Sequence, residues 1–293
     1  LLFVFVSGCS DERAVAPDPS DSSNNAAVTV DPEAIAVELV SRAGWEVTTD
    51  EELPAKLKDL QAAIPVGNIL TVERQVIVDD IVHYSFQVRV GCGPYDVIGL
   101  HRVVREKKPG TPIKAKENIF LQHGASTDFT FCFLPGQYSA QMPDDFGIAV
   151  YLAANNVDVW GIDQRWCLVP PEETNFDFMA TWDFPMHIAD LGLGVNVSRT
   201  IRGITGNDWD QMLLLGFSFG AEISFGLVDG ETQLPPACRS VKGFIPVDMV
   251  IKLPEDSPWR ELMCGFQPYY ESQLAAGIYG EGAIFRPVGI LAR

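Results

Sequence analysis

From residue 118 to residue 250 the chain repeats one rhythm, a short apolar run followed by a stretch long enough for a helix. The runs are "NIFLQHG" (118–124), "VDVWGIDQR" (157–165), "MLLLGFS" (212–218) and "VKGFIPVDMV" (241–250). Between them lie "FGIAVYLAANN" (146–156), "FPMHIADLGLGVNVSRTIRGITG" (184–206) and "GAEISFGLVDG" (220–230), which read as helices. A strand apolar on both faces must be covered on both sides, and strands joined through helices run parallel. The expected class is therefore α/β, with a mostly parallel sheet flanked by helices. Upstream, "ILTVERQVIVDDIVHYSFQVRV" alternates and bends at Asp79-Asp80, which predicts a hairpin and makes the sheet mixed. "YDVIGLHRVVRE" reads as a further strand at the sheet edge.

One of these runs ends in Gly216-Phe217-Ser218-Phe219-Gly220, a G-x-S-x-G motif between a strand and a helix. A turn this tight strains the serine backbone and brings the residues two positions away into collision. Glycine at 216 and 220 removes the clashing Cβ atoms. Ser218 would then stand above the sheet edge at a helix N-terminus, where the dipole favours developing negative charge. The bland alternative is a Gly-Ser turn joining two elements.

A second feature is His123-Gly124 at the end of its own apolar run. With both motifs in place, the chain resembles the α/β-hydrolase fold family. The resemblance implies that Ser218 is a nucleophile and that the Phe219 and Ala125 amides form the oxyanion hole. It implies that His123 and Gly124 organise that loop rather than supply the base. "VDVWGIDQR" resembles the "YDVWxxNxRG" stretch of acid-lipase-type enzymes, and "FDFMATWDFPMHIADL" resembles a second stretch of the same group through Asp183 and Pro185. Asp163 stands where that group has Asn, and Trp166-Cys167 follow Arg165 in place of Gly. Asp163 and Arg165 are read as a buried, loop-fixing ion pair. The implied activity is hydrolysis of carboxylic esters of small-molecule or lipid type, through an acyl-enzyme and without a metal or cofactor. Amide or peptide hydrolysis on the same fold, or a non-catalytic binding protein, are the rivals.

The family places its acid and then its histidine after the serine. All four histidines here, 83, 101, 123 and 187, precede Ser218. His83 and His101 read as ordinary strand residues, and His187 as a structural helix residue. The base is therefore expected from chain beyond residue 293, with this fragment inactive by itself; a natural pseudo-hydrolase is the alternative. Asp248 is a candidate acid, or else a cap for the next helix. Residues 251–293 read as a cap or lid segment, after a hydrolase core over 67–250.

At the other end, "LLFVFVSGC" resembles the close of a bacterial lipoprotein signal peptide, with Cys9 as the lipidated residue. Residues 1–9 are read as a truncated signal segment. Residues 10–32, rich in Ser, Asp, Asn and Pro, read as a flexible tether, and 33–66 as a helical segment. The implied location is the cell envelope, at the outer membrane or cell surface, with the lipid anchor as the membrane contact. With 39 acidic against 21 basic residues, a net charge of −18 argues against nucleic acid as a partner. Five cysteines remain besides Cys9, at 92, 132, 167, 238 and 264, and no C-x-x-C spacing suggests a zinc site. Cys132 with Cys167 is the preferred disulfide, and Cys238 with Cys264 a second option.

Overall fold

The computed structural model describes residues 69–250 and 252–279. The expected signal segment, tether and N-terminal helical segment lie outside the described residues, as does 280–293 of the expected cap. Eight strands form one sheet: β1 (Ile69–Val78), β2 (Ile81–Arg89), β3 (Val97–Lys108), β4 (Thr111–Pro112), β5 (Glu117–Gln122), β6 (Val157–Asp163), β7 (Met212–Phe217) and β8 (Val241–Val247). The order is β1-β2-β3-β6-β5-β7-β8, with β4 paired to β3. Pairing is antiparallel from β1 to β6 and parallel from β6 through β5 and β7 to β8.

The hairpin turns at Asp79-Asp80 as expected, with Asp79 at φ 50°. β3 corrects an expectation. It is an interior strand between β2 and β6, and its first eight residues are all buried. Its apolar residues look like an edge strand in sequence because the polar ones among them, His101 and Arg102, find partners inside the protein.

Helices cover both faces. On one side, α1 (Phe129–Phe133), α2 (Pro135–Tyr138) and α3 (Ile148–Ala154) accompany a cluster of Phe129, Phe133, Val150, Ala153, Ile119, Leu121 and Val159. On the other, α4 (Phe184–Ile204) and α5 (Phe219–Thr232) carry Leu191, Val195, Ile201 and Ile223 onto Phe86, Leu100, Phe120, Trp160 and Ile162. β6 shows the period of two that sorts these layers: Val159 joins the first cluster, Trp160 and Ile162 the second. Gly161 faces the first, and a Cβ there would lie 2.2 Å from the Phe129 ring. Only glycine lets that ring lie against the sheet.

α4 starts where Asp183 Oδ1 accepts from the Met186 amide at 2.9 Å, with Pro185 in its first turn. It is tied to the sheet by charge as well as by packing. Asp158 of β6, fully buried, accepts from Arg102 of β3 at 2.8 and 2.7 Å and from Arg202 of α4 at 3.1 Å. The Arg102 guanidinium also stacks over Trp160, 4.9 Å from the ring centroid. Beyond β8, α6 (Pro258–Ala275) contains Pro268 and exposes Trp259, Phe266, Tyr269 and Tyr270. Among the described residues no helix is long and apolar enough to cross a membrane.

Candidate functional site

β7 ends at Phe217 and α5 begins at Phe219, so Ser218 is the whole connection. Its backbone holds φ 54° and ψ −126°, a strained region for a residue with a Cβ. The strain is held from both sides. The Ser218 amide donates to the Val247 carbonyl of β8 at 2.8 Å, and its carbonyl accepts from the Ala221 amide at 2.8 Å. The flanking glycines are required by contact. A Cβ on Gly216 would meet Ala221 Cα at 2.5 Å, and one on Gly220 would meet the His123 carbonyl oxygen at 2.1 Å. Ser218 itself is only partly buried.

The His123-Gly124 segment leaves β5 directly beside this turn. A Cβ on Gly124 would lie 3.2 Å from Ser218 Cβ. His123 is fully buried, and burial lowers its pKa. Its Nδ1 lies 2.7 Å from the Gly124 carbonyl, and its Nε2 accepts from the Gln164 amide at 3.2 Å. Thr127 Oγ1 donates to the same Gly124 carbonyl at 3.0 Å. With that oxygen drawn towards the ring and the threonine, the trans peptide aims the Ala125 N–H the opposite way. Ser126 at φ 58° completes the bend, and Asp128 caps α1 through the Phe131 amide at 2.7 Å. Ala125 and Phe219 pack against one core cluster. Trp166 lies 6.0 Å from the Phe219 ring, and Phe184 lies 6.0 Å from it as well.

Asp248 follows Val247 at the C-terminal end of β8, exposed and at φ 54°. It does not cap the next helix, since α6 has Ser257 in that position. The serine turn and Asp248 thus share one end of the sheet through the Ser218–Val247 hydrogen bond.

Three expectations fail here. Cys132 and Cys167 are not joined in a disulfide. Both sulfurs turn to Thr127 instead: Cys132 donates to its Oγ1 at 3.2 Å, and Cys167 to its carbonyl at 3.3 Å. Cys238 is likewise an exposed thiol, so no bridge joins it to Cys264. Asp163 and Arg165 do not pair with each other. Arg165 reaches back to Asp190 at 2.6 Å and to Asp96 at 2.6 Å. Asp163 pairs with His101 at 2.9 Å and accepts from the Phe129 amide at 2.7 Å, and these partners hold its carboxyl below the usual range despite burial. Consecutive odd positions at a strand end point the same way in sequence, yet each side chain meets different elements.

Three of the histidines are hydrogen-bonded elsewhere, and the Nδ1 of His187 is buried without a hydrogen-bond partner among the described residues. His83 Nε2 lies 2.9 Å from His101 Nδ1, so His83, His101 and Asp163 form a buried chain that the sequence gives no sign of. Burial, with the neighbouring His101, lowers His83 to about 3. His187, buried in α4, meets Trp166 edge-on at 4.8 Å; burial and then Arg165 lower it to about 4. Among the described residues no hydrogen bond joins Ser218 to any of the four. Trp166 and Phe219 meet, whereas Trp259, Tyr269 and Tyr270 are exposed on α6.

No protein-family model and no curated protein matches the chain. Among solved structures it is similar to a protein described as a "putative lipase" from Sulfolobus solfataricus, at 20% identity and a TM-score of 0.50, over 74% of this chain and 65% of that one. The chain thus spans less than two thirds of that protein's length. Weaker overlaps are with esterase B from Lactobacillus rhamnosis (16% identity, TM-score 0.36, 74% and 63% covered) and with esterase Est22 (14%, 0.38, 75% and 66%). A mixed eight-stranded sheet with helices on both of its faces agrees with the first of these overlays: the chain has the α/β-hydrolase fold.

Proposed function

We propose that the protein is a serine hydrolase that cleaves carboxylic esters through an acyl-enzyme on Ser218. The observation that carries this is the φ of 54° at Ser218, maintained at a partly exposed turn with Gly124 against it. Strain of this kind persists only where surrounding structure enforces it, and it clusters at reactive positions. The description of the Sulfolobus neighbour as a lipase agrees with the choice of an ester bond.

In this reading Ser218 Oγ adds to the ester carbonyl while a base takes its proton. The Phe219 and Ala125 amides stabilise the resulting oxyanion, each worth about 10²–10³ in rate. The base returns its proton to the departing alcohol, and water then releases the acid by the same steps. None of the four histidines is on Ser218, so the base is proposed to come from outside these 293 residues. Asp248, one residue beyond the Ser218–Val247 bond, is the proposed acid that orients it. Trp166 and Phe219 would border the acyl group. The Cys9 anchor remains part of the proposal, tested by radiolabelled palmitate incorporation into wild type and Cys9→Ala.

The decisive experiment is fluorophosphonate labelling of the protein expressed from its full reading frame, with Ser218→Ala as control. Labelling that disappears in the variant is expected. A folded full-length protein that does not react would remove the enzyme reading and leave the binding-protein alternative. Amide substrates, run beside esters of equal acyl length, separate the two hydrolytic readings.

A further inference from the structure

The loop that carries Gly124 and Ala125 is flanked by a group of side chains whose metal-ligating atoms the proposed hydrolysis leaves unused. His123 Nε2, Cys167 Sγ and a carboxylate oxygen of Asp163 all lie within 4.8 Å of one another. They come from the end of β5, the end of β6 and the short 3-10 helix Arg165–Leu168 that follows it. We propose that these three residues bind a thiophilic divalent cation of the zinc class. The site does not depend on the hydrolase reading.

Geometry supports it first. The nitrogen and sulfur are 3.5 Å apart. A tetrahedral zinc ion, with bonds of about 2.0–2.1 Å to imidazole and about 2.3 Å to thiolate, holds its nitrogen and sulfur ligands about 3.5 Å apart. The pair therefore already has the separation of two ligands, and a carboxylate oxygen lies within 4.8 Å of both.

The tautomer is also set. His123 Nδ1 faces the Gly124 carbonyl at 2.7 Å, so that nitrogen carries the ring proton and Nε2 carries the lone pair. Metal-binding histidines are oriented in this way, with the far nitrogen donating to a carbonyl. The Gln164 amide, now donating to Nε2 at 3.2 Å, is the contact that an ion displaces. Asp163 Oδ2 faces His101 and Oδ1 accepts from the Phe129 amide, one partner on each oxygen, as outer partners fix a carboxylate ligand that offers a second lone pair to the ion.

The fourth position has an oxygen at hand. Cys167 donates its thiol proton to the Thr127 carbonyl at 3.3 Å. When the ion binds, the S–H bond breaks, the proton leaves to solvent and a sulfur–metal bond forms. The Thr127 oxygen then faces the ion instead of a proton, or a water takes that place. Cys167 is partly exposed and the Asp163 side chain is 13% exposed, so an ion enters without unfolding the loop. Thiolate, imidazole and carboxylate together select zinc, cobalt or cadmium over magnesium or calcium.

The test is titration of the reduced, chelator-treated protein with cobalt(II) and then cadmium(II). One equivalent is expected to bind, with a thiolate-to-metal absorption band and the visible spectrum of a four-coordinate cobalt ion. Cys167→Ser should abolish the band and weaken cadmium binding at least about tenfold. Cys132→Ser should keep both, because its sulfur lies on Thr127 Oγ1 and outside the group. Wild type without a saturable band overturns the proposal. So does a band that survives Cys167→Ser, which would place the metal on the exposed Cys92 or Cys238. Should Cys167→Ser fail to fold, alkylation of the wild type decides: one equivalent of cadmium must protect Cys167 from iodoacetamide, and unprotected Cys167 refutes the site.

Discussion

A methyl group placed on Gly124 would stand 3.2 Å from Ser218 Cβ and 3.1 Å from the Phe217 ring. These contacts are tight without being impossible, so the neighbours must shift by a few tenths of an ångström. Gly124→Ala should therefore fold, with a stability cost of about 1–3 kcal/mol. The shift falls on the proposed nucleophile and on the peptide that carries the Ala125 amide. Fluorophosphonate labelling of the full-length protein is expected to slow at least about tenfold. Equal labelling rates in the two proteins would show that this contact does not position the serine.

Gly220→Ala should behave differently. Its Cβ would lie 2.1 Å from the His123 carbonyl oxygen and 2.7 Å from Gln122 Cγ. The first is a backbone atom and has nowhere to go. The expected outcome is a loss of about 3 kcal/mol or more of stability, read from the urea midpoint. An unchanged midpoint would mean that the turn is looser than described.

Asp158→Ala tests the charge cluster under α4. The carboxylate serves Arg102 and Arg202, both almost fully buried. Removing it leaves the buried Arg102 guanidinium without a counter-ion and Arg202 with Asp208 alone, at 2.9 Å. A destabilisation of about 3–5 kcal/mol is expected in chemical denaturation, far above the effect of removing an exposed pair such as Lys242–Glu117.

The buried histidines set an acid limit. Burial lowers His83 to about 3 and His187 to about 4, against 6.5 unperturbed. Between those values and 6.5 the unfolded chain binds protons that the folded one refuses. Stability must then fall as pH drops from 6.5 towards 4, with a slope approaching about 2–3 kcal/mol per pH unit while both contribute. Unfolding free energies measured across that range check it. His187→Leu should remove part of the slope, with His83 and His123, also lowered by burial, carrying the rest; a slope unaltered by that change would show that His187 does not contribute.

Much of the site is legible in the residue order. A glycine two positions either side of Ser218, an apolar run before it and a helix after it leave little freedom, because the clashes that glycine avoids are local. The cap of α4 at Asp183 and the hairpin at Asp79 are likewise local rules. What is not legible depends on which strands become neighbours. β3 reads as an edge strand, since the partners of His101 and Arg102 lie on β6 at Asp163 and Asp158, about 60 residues away. The expected Cys132–Cys167 bridge and the expected Asp163–Arg165 pair fail for the same reason. In each case closeness is inferred from strand ends, while the side chains point to Thr127, His101 and Asp190.

By itself, then, the order of residues determined the layered α/β class and the strained serine turn, because both follow from contacts within a few residues and from the period of apolar positions. The tertiary structure alone decided that His123, Asp163 and Cys167 meet, that Asp158 pairs with two arginines, and that none of the four histidines is hydrogen-bonded to Ser218. Those outcomes depend on strand order and on side-chain direction across elements far apart in the chain, where a sequence carries no distance.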